Sequence, residues 1–249
     1  MRTAAAVAAL SACFAVTAAG QLAAAPAAAP VSLHLASVAN ARDIGGYRTV
    51  DGRVVRTGLV IRSDALTDAA PADLARLTAL HVRTVDDLRT GVERALQPER
   101  LPAGAIGLWR DVLGQAPITT VVAPQTAYGV FVTDPNARGA IAAVLRDIAA
   151  ADGALLYHCT AGKDRTGWTT AVLLTLLGVD RATVTRDFMA SNAFLQAAAN
   201  DPMRGVTLDE LNTAFDTVAA QYGSFDNYAR AGLGLTDRDI SALERKLLA

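Results

Sequence analysis

A cysteine and an arginine stand six positions apart in the run His158-Cys159-Thr160-Ala161-Gly162-Lys163-Asp164-Arg165-Thr166-Gly167. A thiolate is a strong nucleophile. A guanidinium offers two parallel N–H donors to an oxyanion such as phosphate. A glycine between them, Gly162, frees the backbone to aim successive N–H groups one way. The residues before the run, Ala154-Leu155-Leu156-Tyr157, read as a buried strand, and Trp168 to Leu177 reads as a buried helix that stops at Gly178. The loop therefore joins a strand end to a helix N-terminus, where unpaired amides and the helix dipole favour an anion. A buried structural cysteine would not need Gly162, Arg165 and Thr166 at these offsets.

The pattern Cys-x5-Arg-Ser/Thr fits attack on a phosphate monoester. Only about 3 % of a free thiol is ionised at neutral pH. Complete ionisation is then worth about thirtyfold, or about 2 kcal/mol. Monoester hydrolysis needs roughly 20 kcal/mol of help. Most of the rate must come from in-line positioning and from donors on the equatorial oxygens. The expected donors are the amides from Thr160 to Arg165 and the Arg165 guanidinium. Cys159 is the expected nucleophile, giving a cysteinyl-phosphate that water removes. His158, Thr160, Ala161, Gly162 and Lys163 form the expected substrate-binding segment, with His158 orienting the loop. Thr166 is expected to bond the sulfur, to cap the helix, or both. The leaving oxygen needs a proton from a carboxylic acid. Asp164 is the first candidate, and Asp111, after Trp109-Arg110, is the alternative. As bland readings, Asp164 is an ion-pair partner within the loop and Asp111 a solvated loop residue.

The elements that must position these groups alternate. Arg53 to Ser63 reads as one or two short strands, Val82 to Leu88 as a strand and Ala105 to Val112 as a weaker one. Thr67 to Leu80 reads as a helix with Pro71 in its first turn, and Arg138 to Ala151 as another, with Gly153 just past its end. Beyond Gly178 the chain is mostly helical. Thr207-x-x-Glu210 is a capping box for a helix stopped at Gly223, Ser224 caps a short helix ending near Gly232, and Thr236 caps the last. Strands alternating with helices predict an α/β fold with a central, mainly parallel sheet, whose ligands sit at the carboxyl ends of the strands.

The chain has 249 residues and a formal net charge of −1. It opens with Arg2, an Ala-rich apolar run and small residues to Pro30, as a secretory signal peptide does. Residues 1–30 are thus expected to be a leader and linker, and 31–249 one catalytic domain exported from the cell. Two readings are less favoured: a lipoprotein box ending at Cys13, because the apolar run before it is short, and an uncleaved N-terminal anchor, because alanine is only weakly apolar. No later stretch approaches the ~18 apolar residues of a membrane span. The near-neutral charge argues against nucleic acid as a partner. Loss of the leader removes Cys13 and leaves Cys159 alone, without an internal disulfide partner. The chain has two lysines, Lys163 and Lys246, so a lysine inside the anion loop stands out.

The loop resembles that of the protein-tyrosine and dual-specificity phosphatases. Further stretches are similar to the atypical bacterial and fungal lipid/tyrosine phosphatases: Asn40-Ala41-Arg42-Asp43-Ile44-Gly45-Gly46-Tyr47, Arg62-Ser63-Asp64, Asp87-Leu88-Arg89 with Glu93, Asp187 to Asn192, and Tyr222 to Tyr228. The resemblance covers nearly all of residues 31–249. It implies the cysteine-phosphatase fold and a cysteinyl-phosphate route without metal or other cofactor. The implied substrates are phosphotyrosine proteins, in some members phosphoserine or phosphothreonine ones, and phosphoinositides. It also implies that Lys163 serves phosphoinositides, that Asp164 is the proton donor, and that helices between about Asp180 and Gly232 form a lid. Arg110 stands where ordinary tyrosine phosphatases have the proline of a Trp-Pro-Asp loop. A cysteine phytase acting on inositol phosphates and a non-catalytic phosphate-binding relative remain the alternatives. Arg42, Asp43, Arg62, Ser63 and Arg89 either line the pocket or pair with one another beneath it, and for Arg42–Asp43 and Arg89–Glu93 structural pairing is the favoured reading.

Overall fold

The computed structural model describes residues 30–114, 124–198, 201 and 203–249; the side chains of 124–126 are also outside it. The expected leader lies outside the described residues except for Pro30. Six strands form one mixed sheet: β1 Val31–Ser32, β2 Arg42–Asp43, β3 Val60–Ser63, β4 Val82–Asp87, β5 Ile106–Trp109 and β6 Ala154–His158. Their spatial order is β1-β2-β3-β6-β4-β5. The first two pairings are antiparallel and the other three parallel. The sheet is mainly parallel and flanked by helices, as expected.

β6 lies between β3 and β4, so both of its faces must be apolar. All five of its residues are buried. Leu155 and Tyr157 enter the larger core, and Ala154 and Leu156 the smaller. Helix α1, Pro71–Ala79, covers the smaller core through Leu77. The larger core lies under α3 Pro124–Thr133, α4 Pro135–Ala150, α5 Arg165–Leu176, α6 Arg181–Phe194, α7 Leu208–Tyr222 and α8 Asp237–Leu247. The short helix α2, Gly91–Leu96, buries none of its residues.

Several boundaries differ from expectation. The helix read over Thr67–Leu80 is a 3-10 turn, Leu66–Asp68, followed by α1. Proline keeps the residue before it out of the helical region, and Ala70 is extended at ψ 153°. In the stretch from Arg53 to Ser63 only β3 is a strand; Val54 and Val55 make single bridges to Arg48 and Leu248. Helix α4 begins at Pro135 because the Asp134 carboxylate caps it, accepting from the Ala137 amide at 2.9 Å. The capping boxes at Thr207 and Thr236 and the stop at Gly223, φ 74°, stand where the sequence puts them.

Candidate active site

β6 ends at His158, and α5 begins at Arg165. The loop between them is turned so that its carbonyls face outward and are bound from outside. The Ala65 amide donates to Thr160 O at 3.2 Å. The Asn40 side chain donates to Ala161 O at 3.3 Å and to Gly162 O at 2.8 Å. Arg62 donates to Gly162 O at 2.7 Å. The amides of Thr160 to Asp164 meet no acceptor among the described residues. Gly162 has φ 65°, and a Cβ there would lie 2.2 Å from Ser63 O, so only glycine fits. Cys159 lies at the start of this turn and is buried. Thr166 is buried in the first turn of α5 with its hydroxyl unpartnered among the described residues.

The floor beneath the loop is a buried ion network. Arg42 meets Asp187 Oδ1 at 3.1 Å, Arg62 meets Asp187 Oδ2 at 2.9 Å, and the Tyr47 hydroxyl donates to Asp187 Oδ1 at 3.1 Å. Burial would raise the Asp187 carboxyl, but the two guanidiniums outweigh it and hold it below the usual carboxylate range. Two cations share one anion here, so positive charge remains under the loop. Arg42 also binds the side chain and carbonyl of Asn40, steering the amide that grips the loop. The expected Arg42–Asp43 pairing does not form. Asp43 instead caps backbone, accepting from the Gly45 and Gly58 amides.

Arg165 is braced by a residue the sequence reading gave to another partner. Its two terminal nitrogens contact Glu93, at 2.8 Å to Oε2 and 2.6 Å to Oε1. Glu93 is fixed in turn by its capping box with Thr90 and by the Thr160 hydroxyl. Burial would raise the Glu93 carboxyl, but the hydrogen bonds and charge of Arg165 dominate and hold it at about 2. Arg89, the partner expected for Glu93, forms a two-pronged bond to Asp87 and also meets Glu99. The capping-box spacing Thr90-x-x-Glu93 is the sequence signal for this helix.

His158 is buried, with Nδ1 3.1 Å from Cys159 O and Nε2 3.1 Å from Glu99 Oε2. Beside it, burial foremost pushes Asp64 up to about 7. Lys163 is buried, and its ammonium lies 3.0 Å from Asp164 Oδ2. The Tyr128 hydroxyl donates to Asp164 Oδ1 at 3.0 Å. Glu210, in the first turn of α7, is buried near this pair. Burial foremost raises its carboxyl, Asp164 adds to that and Lys163 opposes it. Asp111 is occupied locally: its Oδ1 accepts from the amides of Leu113 at 3.0 Å and Gly114 at 2.8 Å. Arg110 pins the same segment to α4 through Asp147 at 2.6 Å. Asn40, Glu93, Tyr128, Asp187 and Glu210 complete the surroundings of the loop; Asn40 and Asp187 stand only in the resembling stretches, without roles, and Glu93 there carries the expectation of pairing with Arg89.

Comparison with known proteins agrees with the geometry. The model of the tyrosine phosphatase family matches residues 33–249. A protein of Cupriavidus necator assigned as a tyrosine-protein phosphatase is 32 % identical over 261 residues, covering 90 % of this chain and 93 % of its own. The triple specificity protein phosphatase PtpB of Mycobacterium tuberculosis is 26 % identical, covering 84 % of this chain and 96 % of its own. A tyrosine-protein phosphatase of Nostoc commune is 26 % identical, over 75 % of this chain and 73 % of its own.

Proposed function

Because the chain belongs to the tyrosine phosphatase family, we propose that it hydrolyses phosphotyrosine in proteins through a cysteinyl-phosphate on Cys159. The observation that supports this most is the polarity of the loop. Asn40, Arg62 and the Ala65 amide hold its carbonyls, which leaves the amides of Thr160 to Asp164 for a phosphoryl group. Arg165, braced by Glu93, supplies the two-pronged donor. The Thr166 hydroxyl is a donor for the sulfur, and Asp164 is the proton donor to the leaving oxygen. Asp111, held by its own turn, is the lesser candidate for that proton.

The finer reading extends the substrates to phosphoserine or phosphothreonine and to phosphoinositides, with Lys163 serving the lipids. The helices between about Asp180 and Gly232, α6 and α7 among them, are read as the cover over the loop. Residues 1–30 are read as an export leader, which mass analysis of the N-terminus of secreted protein would check. No helix among the described residues is long and apolar enough to cross a membrane.

Steady-state kinetics on a phosphotyrosine peptide, a phosphoserine peptide and a phosphoinositide, repeated with Lys163→Ala, test the assignment. Turnover of phosphotyrosine by the parent protein is expected, and its absence alongside turnover of phytate would overturn it. A loss in Lys163→Ala that is larger on the lipid than on either peptide is expected; an equal loss on all three would contradict the special role of the lysine.

A further inference from the structure

Asp164 immediately precedes α5, where an aspartate ordinarily accepts the first free amides of the helix. Its side chain makes no such bond. The carboxylate is drawn away from the helix axis by two donors, Lys163 and the hydroxyl of Tyr128. Tyr128 comes from α3, 36 residues earlier in the chain, and its ring is fully buried. Phe131 and Phe188 pack edge-on against it, with ring centroids 5.3 and 5.9 Å away. A buried phenol needs a hydrogen-bond partner, and among the described residues Asp164 is the one it has. The Asp164 side chain itself is 28 % exposed. One end of the contact is therefore fixed in the core, and the other reaches solvent at the loop.

We propose that Tyr128 is a positioning residue for proton transfer by Asp164, its hydroxyl on Oδ1 fixing the orientation in which the carboxyl meets the leaving oxygen, while the Lys163 ammonium, 3.1 Å from Oδ1 and 3.0 Å from Oδ2, braces the same group. This rests on the phosphatase reading above. As the Cys159 sulfur–phosphorus bond forms and the phosphorus–ester oxygen bond breaks, the proton of the Asp164 carboxyl passes to the departing oxygen. In the second step the resulting carboxylate takes a proton from the water that displaces the sulfur. Tyr128 keeps its own proton throughout. Burial first, and then the charge of Asp164, push its hydroxyl well above the ordinary phenol range.

Tyr128→Phe removes the hydroxyl and retains the ring packing. The test compares kcat and KM of the parent and this variant on a phosphotyrosine peptide and on a polyfluorinated aryl phosphate, whose phenoxide leaves without needing a proton. The expected result is a fall in kcat of about tenfold on the peptide and less than about twofold on the fluorinated ester, with KM held. Asp164→Asn should show the same split, and the double variant should lose no more than Asp164→Asn alone. Equal losses on both substrates, no loss, or additive losses in the double variant would overturn the proposal. Circular dichroism and thermal melts of Tyr128→Phe identify a folding defect, and Tyr128→Met, which fills the same buried site with a flexible side chain and no hydrogen-bond donor, should then reproduce the split in a folded protein. A parent inert on every phosphate ester would sink the phosphatase reading itself, whereas an active parent without the split sinks only the role of Tyr128.

Discussion

Glu93 connects a short surface helix to the arginine of the phosphate loop, and its chemistry is readable from pH. A carboxyl held at about 2 in the folded protein, against about 4.3 when free, contributes stability above the free value. That stability drains away as pH falls through the interval toward 2. The expected size is on the order of 2–3 kcal/mol. Urea titrations of the parent at about pH 6 and about pH 3 should show this loss, and Glu93→Gln should flatten much of it. The same variant should lower kcat/KM on a phosphotyrosine peptide by about tenfold or more, because Arg165 loses its brace. Unchanged kinetics and an unchanged acid slope would contradict the role. The sequence offered Glu93 a local partner, Arg89, at helical spacing. Arg89 is instead taken by Asp87 two residues before it, and Glu93 reaches across 72 residues to Arg165. Strand order decides that pairing, and spacing along the chain does not carry strand order.

At the scale of elements, the strand–loop–helix unit was legible because its residues signal locally. The run Ala154-Leu155-Leu156-Tyr157, a glycine that must take positive φ and a helix of buried residues are each short-range features. What holds the unit in place was not legible. Helix α6 supplies Asp187 to Arg42 and Arg62, and Asn192 of the same helix clamps the backbone at Val206 just before α7. The sequence showed Arg42, Asp187 and Asn192 as members of separate stretches. Their meeting depends on α6 packing against α5. Removing the shared anion leaves two guanidiniums buried together, so Asp187→Asn should cost about 3–5 kcal/mol. Denaturant midpoints measure this, and a cost under about 1 kcal/mol would show that the network is not what anchors α6. Helix α2 carries no apolar stripe in the sequence, since it has six residues and buries none.

Across the whole molecule, the described chain is built around one sheet whose carboxyl ends carry the phosphate loop. The α/β class followed from alternation of strand and helix patterns, while the antiparallel edge β1–β2 had no periodic signal because each strand has two residues. The fold also contains a carboxyl its core does not satisfy. Asp86 is fully buried on β4 with both oxygens unpartnered among the described residues, and burial, joined by the charge of Asp147, pushes it up. A raised carboxyl contributes stability below the free value of about 3.9 and loses it as pH rises through the folded value. The Tm of the parent should therefore fall between about pH 5 and about pH 9, and Asp86→Asn should make that fall distinctly shallower. Asp64, at about 7, supplies part of the slope that remains. Parallel slopes in the two proteins would mean that Asp86 is already charged or already satisfied.

The claim on which the rest depends is covalent chemistry at Cys159, and trapping the intermediate addresses it directly. A phosphotyrosine peptide carrying labelled phosphate is mixed with the enzyme, quenched in acid within milliseconds, digested and sequenced by mass. The account predicts the phosphoryl label on the peptide containing Cys159 and none with Cys159→Ser, which should also have lost turnover. Label on another residue, or near-normal turnover by Cys159→Ser, would contradict it.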